Sequence, residues 1–227
     1  MRYDLVLMDA DDTLFDYPRA AQQALEGTCR LHGLPFDDAV LARYHRINDA
    51  LWKRHERGEV TQERLRTERF DTLAAELGTA ANSAAMNRDY SRLLGEGAFL
   101  LPGALELCRA LAPLCPLYIV TNGLSDTQHR RLAKSGLSPY LSGMFISEEV
   151  GYQKPRPEFF DAVFAAVGLA DRRRAVILGD SQTSDMQGGK NAGIDTCWFA
   201  PPEAEDRVGC TWRVSRLEDF LPIVTGR

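Results

Sequence analysis

The sequence predicts an α/β protein, a three-layer, Rossmann-like sandwich around a mostly parallel sheet, with an all-helical domain inserted into it. Two observations predict this fold class. Short, continuous apolar runs that end abruptly in polar residues alternate with amphipathic helical patterns. Such runs are typical of strands buried on both faces of a parallel sheet. Residues 17–97 break this rhythm and show helical patterns without a strong strand signal, which indicates an insertion.

The alternating part of the chain predicts its strands and helices in order. Six short apolar runs are the predicted strands, at 5–8, 117–120, 144–146, 175–178, 196–199 and 212–214. Amphipathic spacing predicts helices near 103–112, 125–135, 157–167 and 184–192. Ser125 followed by Gln128 fits a capping box, so the helix at 125–135 is expected to have Ser125 as its N-cap.

The inserted block is predicted to contain three or four amphipathic helices. Their predicted ranges are 17–32, 38–57, 61–77 and 80–94. Pro102-Gly103 then marks the return to the alternating pattern. We therefore expect two domains, one made of 1–16 and 98–227 and the other of 17–97.

Composition excludes several classes of protein. The chain has 227 residues, 44% hydrophobic and 26% charged, with a net charge of −5, so a nucleic-acid polymer, which usually selects basic proteins, is not an expected partner. A small anionic substrate remains possible because local cations can override the net charge. No apolar run is long enough for a membrane span. Five cysteines without a CxxC pair predict free thiols and a cytoplasmic location.

Polar residues directly follow three of the predicted strands, at 9–13, 121–123 and 179–185. Because the carboxyl ends of parallel strands meet at one edge of a sheet, these segments are expected to converge there. Lys154 lies between two of the strands, in a loop stiffened by Pro155 and Pro157, and can reach the same crevice. Each segment alone also fits an ordinary turn. Their convergence favours a functional site.

The aspartates in these segments predict a metal site. Asp9, Asp11 and Asp12 crowd three carboxylates together, and two carboxylates about 4 Å apart repel by about 4 kcal/mol at an effective dielectric constant of about 20. Asp180 and Asp185 add to the crowding. Such a cluster needs a cation or protonation, and ligands that are all oxygen favour Mg²⁺, with Mn²⁺ as the alternative ion.

The segment Thr121-Asn122-Gly123 predicts an anion-binding turn. It offers a hydroxyl, an amide and backbone N–H groups just before a predicted helix, and the amides and dipole at a helix N-terminus favour an oxyanion. The same residues would also serve a plain strand-to-helix turn, so this segment alone does not decide between the two.

Four segments together resemble the haloacid dehalogenase (HAD) superfamily. Asp9-Ala10-Asp11-Asp12-Thr13-Leu14 resembles its DxDx[TV] first motif, Thr121 its second, Lys154 its third, and Gly179-Asp180 with Asp185 its fourth. The helical insert stands where the superfamily places its C1 cap. A narrower resemblance, carried by 9–15, 146–151 and 188–198, is to the bacterial pyrimidine 5′-nucleotidases.

The resemblance implies a role for each motif. Asp9 would be the nucleophile that forms an aspartyl-phosphate, and Asp11 would protonate the leaving oxygen and later deprotonate water. Mg²⁺ would be held by Asp9, the Asp11 carbonyl and Asp180. Lys154 would offset negative charge, with Asp185 orienting it or a metal-bound water. Thr121, Asn122 and Gly123 would bind the phosphoryl group.

The acid at Asp11 separates two reactions known in the superfamily. Dehalogenases that resemble this chain lack a carboxylate at this position, because a halide leaving group needs no proton. An alkoxide does need one, so phosphoryl transfer is preferred over cleavage of a carbon–halogen bond.

Residues of the insert are expected to select the substrate. On the predicted helix 38–57, Asn48 could hydrogen-bond the edge of a base and Trp52 could stack on a ring. Packing in the core of the insert explains the presence of Trp52 equally well. For Arg66 and Arg69, too, the sequence does not decide between substrate contact and packing.

The resemblance therefore implies a Mg²⁺-dependent phosphatase acting on a small phosphorylated substrate, a nucleoside 5′-monophosphate with a pyrimidine base favoured. The alternative within enzymes is a phosphatase for another small metabolite, such as phosphoglycolate or a sugar phosphate. A phosphomutase would use the same first motif. A non-catalytic interaction protein with this fold is the alternative of a different class, although it would be expected to have lost Asp9, Asp11 or Lys154.

Overall fold

In the computed structural model, which describes residues 1–80 and 82–226, six strands form one sheet. They are β1 (Leu5–Met8), β2 (Leu117–Thr121), β3 (Gly143–Ile146), β4 (Ala175–Gly179), β5 (Asp195–Phe199) and β6 (Trp212–Val214). Their spatial order is β3-β2-β1-β4-β5-β6, and each pair of neighbours is parallel. The predicted α/β fold with a mostly parallel sheet is confirmed.

The order of the strands locates a crevice. From β1 the chain proceeds outward through β2 to β3, then returns to β4 on the other side of β1. Where the strand order reverses in this way, the crevice for ligands lies at the carboxyl ends of the two strands concerned. In this sheet these are β1 and β4, with Met8 opposite Leu178 in the register.

Helices on both faces of the sheet complete three layers. They are α5 (Ala104–Leu111), α6 (Ser125–Ser135), α7 (Ser147–Val150), α8 (Pro157–Val167), α9 (Gln187–Ala192) and α10 (Phe220–Thr225). Side chains alternate between the faces along β1. Val6 and Met8 pack in one cluster, which contains residues of α5 and α10. Leu5 and Leu7 pack in another, with the phenylalanines of α8. This two-sided burial explains the unbroken apolar run.

The helical insert is a compact unit, Pro18–Gly97, and residues Met1–Tyr17 with Ala98–Arg227 form the other. Its helices are α1 (Tyr17–Leu31), α2 (Asp38–Glu56), α3 (Gln62–Glu76) and α4 (Ser83–Glu96). Tyr44, Phe70 and Tyr90 from three of these helices pack with ring centroids 5.3–5.8 Å apart. Aromatic packing therefore joins α2, α3 and α4.

Several element boundaries differ from those predicted. Helix α9 begins at Gln187 rather than 184, after a wide helical turn, Gln182–Met186, in which the Ser184 N–H donates to Ser181 Oγ at 3.2 Å. Helix α4 begins at Ser83, capped by Asn82. Two positions lie outside the described residues. Position 81 falls in the predicted helix 80–94, and position 227 falls in the predicted domain made of 1–16 and 98–227.

Two general expectations concern thiols and membranes. All five cysteines are free thiols. Within 1–80 and 82–226, no helix combines the length and the apolar character that crossing a bilayer requires.

Candidate active site

A buried ammonium lies at the carboxyl ends of β1 and β4. Lys154, only 1% exposed, donates to Asp9 Oδ1 at 2.5 Å, to Asp185 Oδ1 at 2.6 Å and to the Val120 carbonyl at 2.7 Å. Because an ammonium has three protons, these three acceptors use all of them. Lys154 therefore orients Asp9 directly, and its effect on a substrate would be electrostatic.

The segments that the sequence places apart meet through specific hydrogen bonds. The Asp9 N–H donates to the Leu178 carbonyl at 2.9 Å, which ties the end of β1 to β4. The Asn122 side chain, just past β2, donates to the Lys154 carbonyl and accepts from its N–H, both at 2.9 Å. This two-point contact fixes the loop that carries Lys154. Asn122, predicted to bind phosphoryl oxygens, uses both polar ends of its side chain on that loop.

Asp185 is fully buried and folded back over the end of β4. Its Oδ1 accepts from Lys154, and its Oδ2 accepts from the Ser181 N–H at 3.1 Å. Gly179 allows this approach, because a Cβ at that position would meet Asp185 Cγ at 2.4 Å. The glycine and the aspartate of the fourth segment thus form one packed unit.

We expect Gly179→Ala to disrupt the site. The added methyl group would displace Asp185, which would leave Lys154 with one fewer buried partner and cost about 1–3 kcal/mol through the lost hydrogen bond and the overpacking. The free energy of unfolding, measured with denaturant, and the hydrolase activity should both fall. Gly136→Ala is the matched control, because a Cβ there meets nothing within 4 Å and its φ of +78° costs stability without touching the site. Equal activity of the two variants would contradict the expectation.

Asp180 completes an acidic group at the same place. Carboxylate oxygens of Asp9, Asp180 and Asp185 lie within 4.8 Å of one another. When all three carboxylates are ionised, the single ammonium of Lys154 leaves two negative charges unbalanced. A divalent cation with a preference for oxygen ligands would balance them. Since Asp185 is fully buried and each of its oxygens already accepts a hydrogen bond, Asp9 and Asp180 are the carboxylates best able to hold it.

Burial and charge strongly perturb the ionisation of this group. Burial raises the pKa of Asp9 to about 8; Lys154 opposes this rise and Asp185 adds to it. Burial, with Asp9 and Asp185, also raises the pKa of Asp180 well above its ordinary value. For Lys154, burial acts to lower the pKa, but Asp185 and Asp9 outweigh it and raise the pKa. The ammonium is therefore charged, whereas the carboxylates need more positive charge to ionise together.

The Asp11 side chain is held by two residues of α6. Gln128 Nε2 donates to Asp11 Oδ2 at 2.7 Å, and Arg131 Nη1 donates to Asp11 Oδ1. The predicted capping box is therefore wrong: Leu124 is the N-cap of α6 and makes no side-chain cap, because Gln128 is directed at Asp11 instead. Sequence analysis missed the role of Gln128 and Arg131, whose i, i+3 spacing on one helix face was the available signal.

Thr121 and Gly123 shape the turn after β2. Thr121 Oγ1 accepts from the Gly123 N–H at 3.0 Å. Within the described residues, no group accepts the proton of that hydroxyl. Gly123 lies under Gln128, where a Cβ would meet Gln128 Nε2 at 2.2 Å. Its lack of a side chain serves the Gln128–Asp11 contact.

The predicted base-binding residues lie in the helical unit. Asn48 is buried and accepts from Arg69 Nη1 at 3.4 Å, and Arg69 also donates to Asn87 Oδ1 at 2.7 Å. Trp52 packs edge-on against His55, with ring centroids 5.7 Å apart. Packing within the unit thus accounts for part of each side chain's surroundings, and contact with a nucleobase stays a prediction.

Comparison with known proteins gives consistent matches over nearly the whole chain. A family model described as haloacid dehalogenase-like hydrolase matches residues 3–193. The HAD-hydrolase YfnB of Bacillus subtilis is 38% identical over 226 residues, which cover 98% of this chain and 96% of that protein. A crystal structure of YfnB bound to magnesium aligns with a TM-score of 0.94 at 37% identity, covering 99% of this chain and 100% of that chain.

Two further relatives are named as pyrimidine 5′-nucleotidases. PynA of Streptococcus pneumoniae is 34% identical over 224 residues, covering 97% of this chain and 94% of that protein. YjjG of Escherichia coli is 33% identical over 225 residues, covering 97% of each.

Proposed function

Because the chain belongs to the haloacid dehalogenase-like hydrolases and is thus an enzyme, we propose that it is a Mg²⁺-dependent phosphatase of nucleoside 5′-monophosphates, with pyrimidine nucleotides favoured. One observation carries the proposal: the Asp9 carboxylate lies beside Asp180 and is fixed by the Lys154 ammonium, which donates all three of its protons. The names of PynA and YjjG support the substrate class. The predicted membership of the HAD superfamily is confirmed.

Asp9 is the proposed nucleophile. Lys154 holds one of its oxygens at 2.5 Å, which leaves the other free to attack phosphorus along a defined direction. The new bond joins that oxygen to phosphorus while the bond from phosphorus to the nucleoside oxygen breaks. The result is an aspartyl-phosphate and a nucleoside.

Asp11 is the proposed proton donor and acceptor. In the first step its proton goes to the departing nucleoside oxygen, which would otherwise leave as a poor alkoxide. In the second step a water molecule attacks phosphorus and gives a proton back to Asp11. The bond between phosphorus and Asp9 breaks, which frees Asp9 and releases inorganic phosphate.

The acidic group fits the cation that this chemistry uses. Asp9 and Asp180 would hold Mg²⁺ or Mn²⁺, with the Asp11 carbonyl as the ligand that the resemblance implies, and the donor set is all oxygen. When bound, the ion neutralises negative charge on the phosphoryl oxygens and on the carboxylates. The two negative charges that the group Asp9, Asp180, Asp185 and Lys154 carries when its carboxylates are ionised support a divalent ion.

Thr121 is the proposed side-chain contact to the phosphoryl group. Its hydroxyl can accept from Gly123 and still donate its own proton, and it stands at the end of β2, next to the strand that carries Asp9. Asn122 contributes by fixing the Lys154 loop. We therefore propose that Asn122 acts as a positioning residue.

A panel of phosphate esters with Mg²⁺ tests the function. We expect phosphate release from UMP, dUMP and dTMP, loss of release with EDTA, and recovery on adding excess Mg²⁺ or Mn²⁺. Equal or faster release from phosphoglycolate or sugar phosphates would remove the nucleotidase assignment and keep the phosphatase. Isomerisation without phosphate release would show a phosphomutase, and no turnover of any ester would contradict the proposal as a whole.

A further inference from the structure

We propose that Gln128 and Arg131 of α6 are positioning residues that hold the Asp11 carboxyl group in the orientation needed for proton transfer to the leaving oxygen. This inference rests on the proposed function, since it assigns Asp11 the role of proton donor. It concerns residues outside the four motifs that the sequence analysis singled out.

Two hydrogen bonds constrain the carboxyl group at both oxygens. Gln128 Nε2 donates to Oδ2 at 2.7 Å, and Arg131 Nη1 donates to Oδ1. Two contacts at two atoms restrict rotation about the side-chain bonds, which a single contact does not. A carboxyl group has about four lone-pair positions, so two donors leave positions on Asp11 for exchanging a proton.

The two donors are themselves buried and packed. Arg131 is fully buried, and its guanidinium lies 4.4 Å from the centroid of the Phe15 ring, a favourable cation–π contact. Phe15 belongs to the same loop as Asp11, and its carbonyl accepts from the Asp12 N–H at 2.9 Å. Gln128 is 1% exposed and crosses Gly123, where a Cβ would meet its Nε2 at 2.2 Å.

The contrast in exposure points to a catalytic purpose. The Arg131 side chain is 0% exposed, whereas the Asp11 side chain is 29% exposed. A buried guanidinium is costly to desolvate and needs good partners, yet its partner here is a carboxyl group that remains open to solvent on another side. The buried donors hold one part of Asp11 and leave another part able to meet a substrate.

This role predicts an effect that depends on the leaving group. A nucleoside oxygen needs a proton to leave, whereas p-nitrophenolate leaves readily without one. Misplacing Asp11 should therefore lower kcat/KM for a nucleotide far more than for p-nitrophenyl phosphate. The parameter kcat/KM is the right one, because it reports the steps up to the first irreversible bond cleavage, and the later attack of water is common to both substrates.

The test compares Arg131→Met and Gln128→Met with the wild-type enzyme on both substrates with Mg²⁺. General acids contribute about 10²–10⁴-fold, so we expect kcat/KM for the nucleotide to fall by about 10²-fold in Arg131→Met, with a loss on p-nitrophenyl phosphate at least about tenfold smaller. Gln128→Met should shift the ratio of the two kcat/KM values in the same direction. Arg131→Lys should recover part of the loss.

A double-mutant cycle tests whether Arg131 acts through Asp11. Asp11→Asn should show the same preference for p-nitrophenyl phosphate. Adding Arg131→Met to Asp11→Asn should then leave the ratio of the two kcat/KM values unchanged, because residues that act as a unit are not additive. A further shift of the ratio in the double variant would overturn the proposal.

The controls separate positioning from folding. Arg130→Met makes the same chemical change on the same helix at an exposed arginine, and should alter neither substrate. If Arg131→Met does not fold, as judged by its unfolding curve, Gln128→Met decides the question. Equal losses on both substrates in the folded variants, or no loss on either, would overturn the positioning role.

Failure of the proposed function would look different. The wild-type enzyme would then release no phosphate from nucleotides, which is observed before any variant is made. If it prefers another alkyl phosphate of the panel, that ester replaces the nucleotide in the comparison and the predicted ratio stands.

Discussion

Replacing Asp9 with asparagine is expected to abolish phosphate release from every ester that the wild-type enzyme hydrolyses. The amide cannot form the acyl-phosphate bond. No other carboxylate of the acidic group is equally available, since Asp185 is fully buried with both oxygens accepting hydrogen bonds and Asp180 is the proposed metal ligand. Removing a covalent nucleophile lowers kcat by about 10⁴-fold or more in well-studied hydrolases. A phosphate-release assay at saturating Mg²⁺ measures the loss.

The same variant can be tested for the covalent intermediate. Wild-type enzyme quenched in acid during turnover of a substrate with labelled phosphate should carry label on the protein, and Asp9→Asn should carry none. Asp126→Asn is the matched control, because the Asp126 side chain is 90% exposed on α6. Turnover by Asp9→Asn within tenfold of wild type, as an order-of-magnitude threshold, would contradict the assignment of Asp9.

Replacing Lys154 with methionine is expected to lower both stability and activity. The ammonium is buried between Asp9 and Asp185, so its removal leaves adjacent buried carboxylates without their cation. Breaking a buried pair by removing one partner costs about 3–5 kcal/mol. Urea unfolding without added metal measures this loss, and phosphate release should fall because Asp9 is no longer oriented.

A second substitution distinguishes charge from packing. Asp185→Asn in the Lys154→Met background removes one of the unpaired charges and should recover part of the lost stability, whereas a pure packing defect would not respond. Lys53→Met, at an exposed lysine of α2, should leave stability and activity near wild type. An unfolding free energy of Lys154→Met equal to that of wild type would show that the buried pair contributes nothing.

Much of the fold could be predicted from local pattern. The unbroken apolar runs of β1 and β4 and the amphipathic spacing of α6 and α8 report burial on two faces or on one, and the predicted ranges of these elements agree with the structure to within one residue. The amphipathic pattern predicted a helix boundary less well where that boundary depends on one hydrogen bond. An example is the start of α9, where the Ser181 hydroxyl shapes the preceding wide turn.

The candidate site was also predicted only in part from the sequence. Its motifs were visible because a polar segment at the end of a buried strand has few structural reasons to be so acidic. The strand order that makes β1 and β4 neighbours was not readable, since local periodicity carries no information on which strands pair.

What the amino-acid sequence determined by itself was the set of chemical groups and the elements that carry them. For Asp185 the resemblance left two partners open, Lys154 or a metal-bound water. Only the tertiary structure decided the partners: Asp9 and Asp185 on the Lys154 ammonium, Asn122 on the Lys154 loop, and Gln128 with Arg131 on Asp11. The physical reason is that these contacts join residues 31 to 145 positions apart. Such contacts depend on how each helix is rotated against the sheet, which is set by packing over the whole domain.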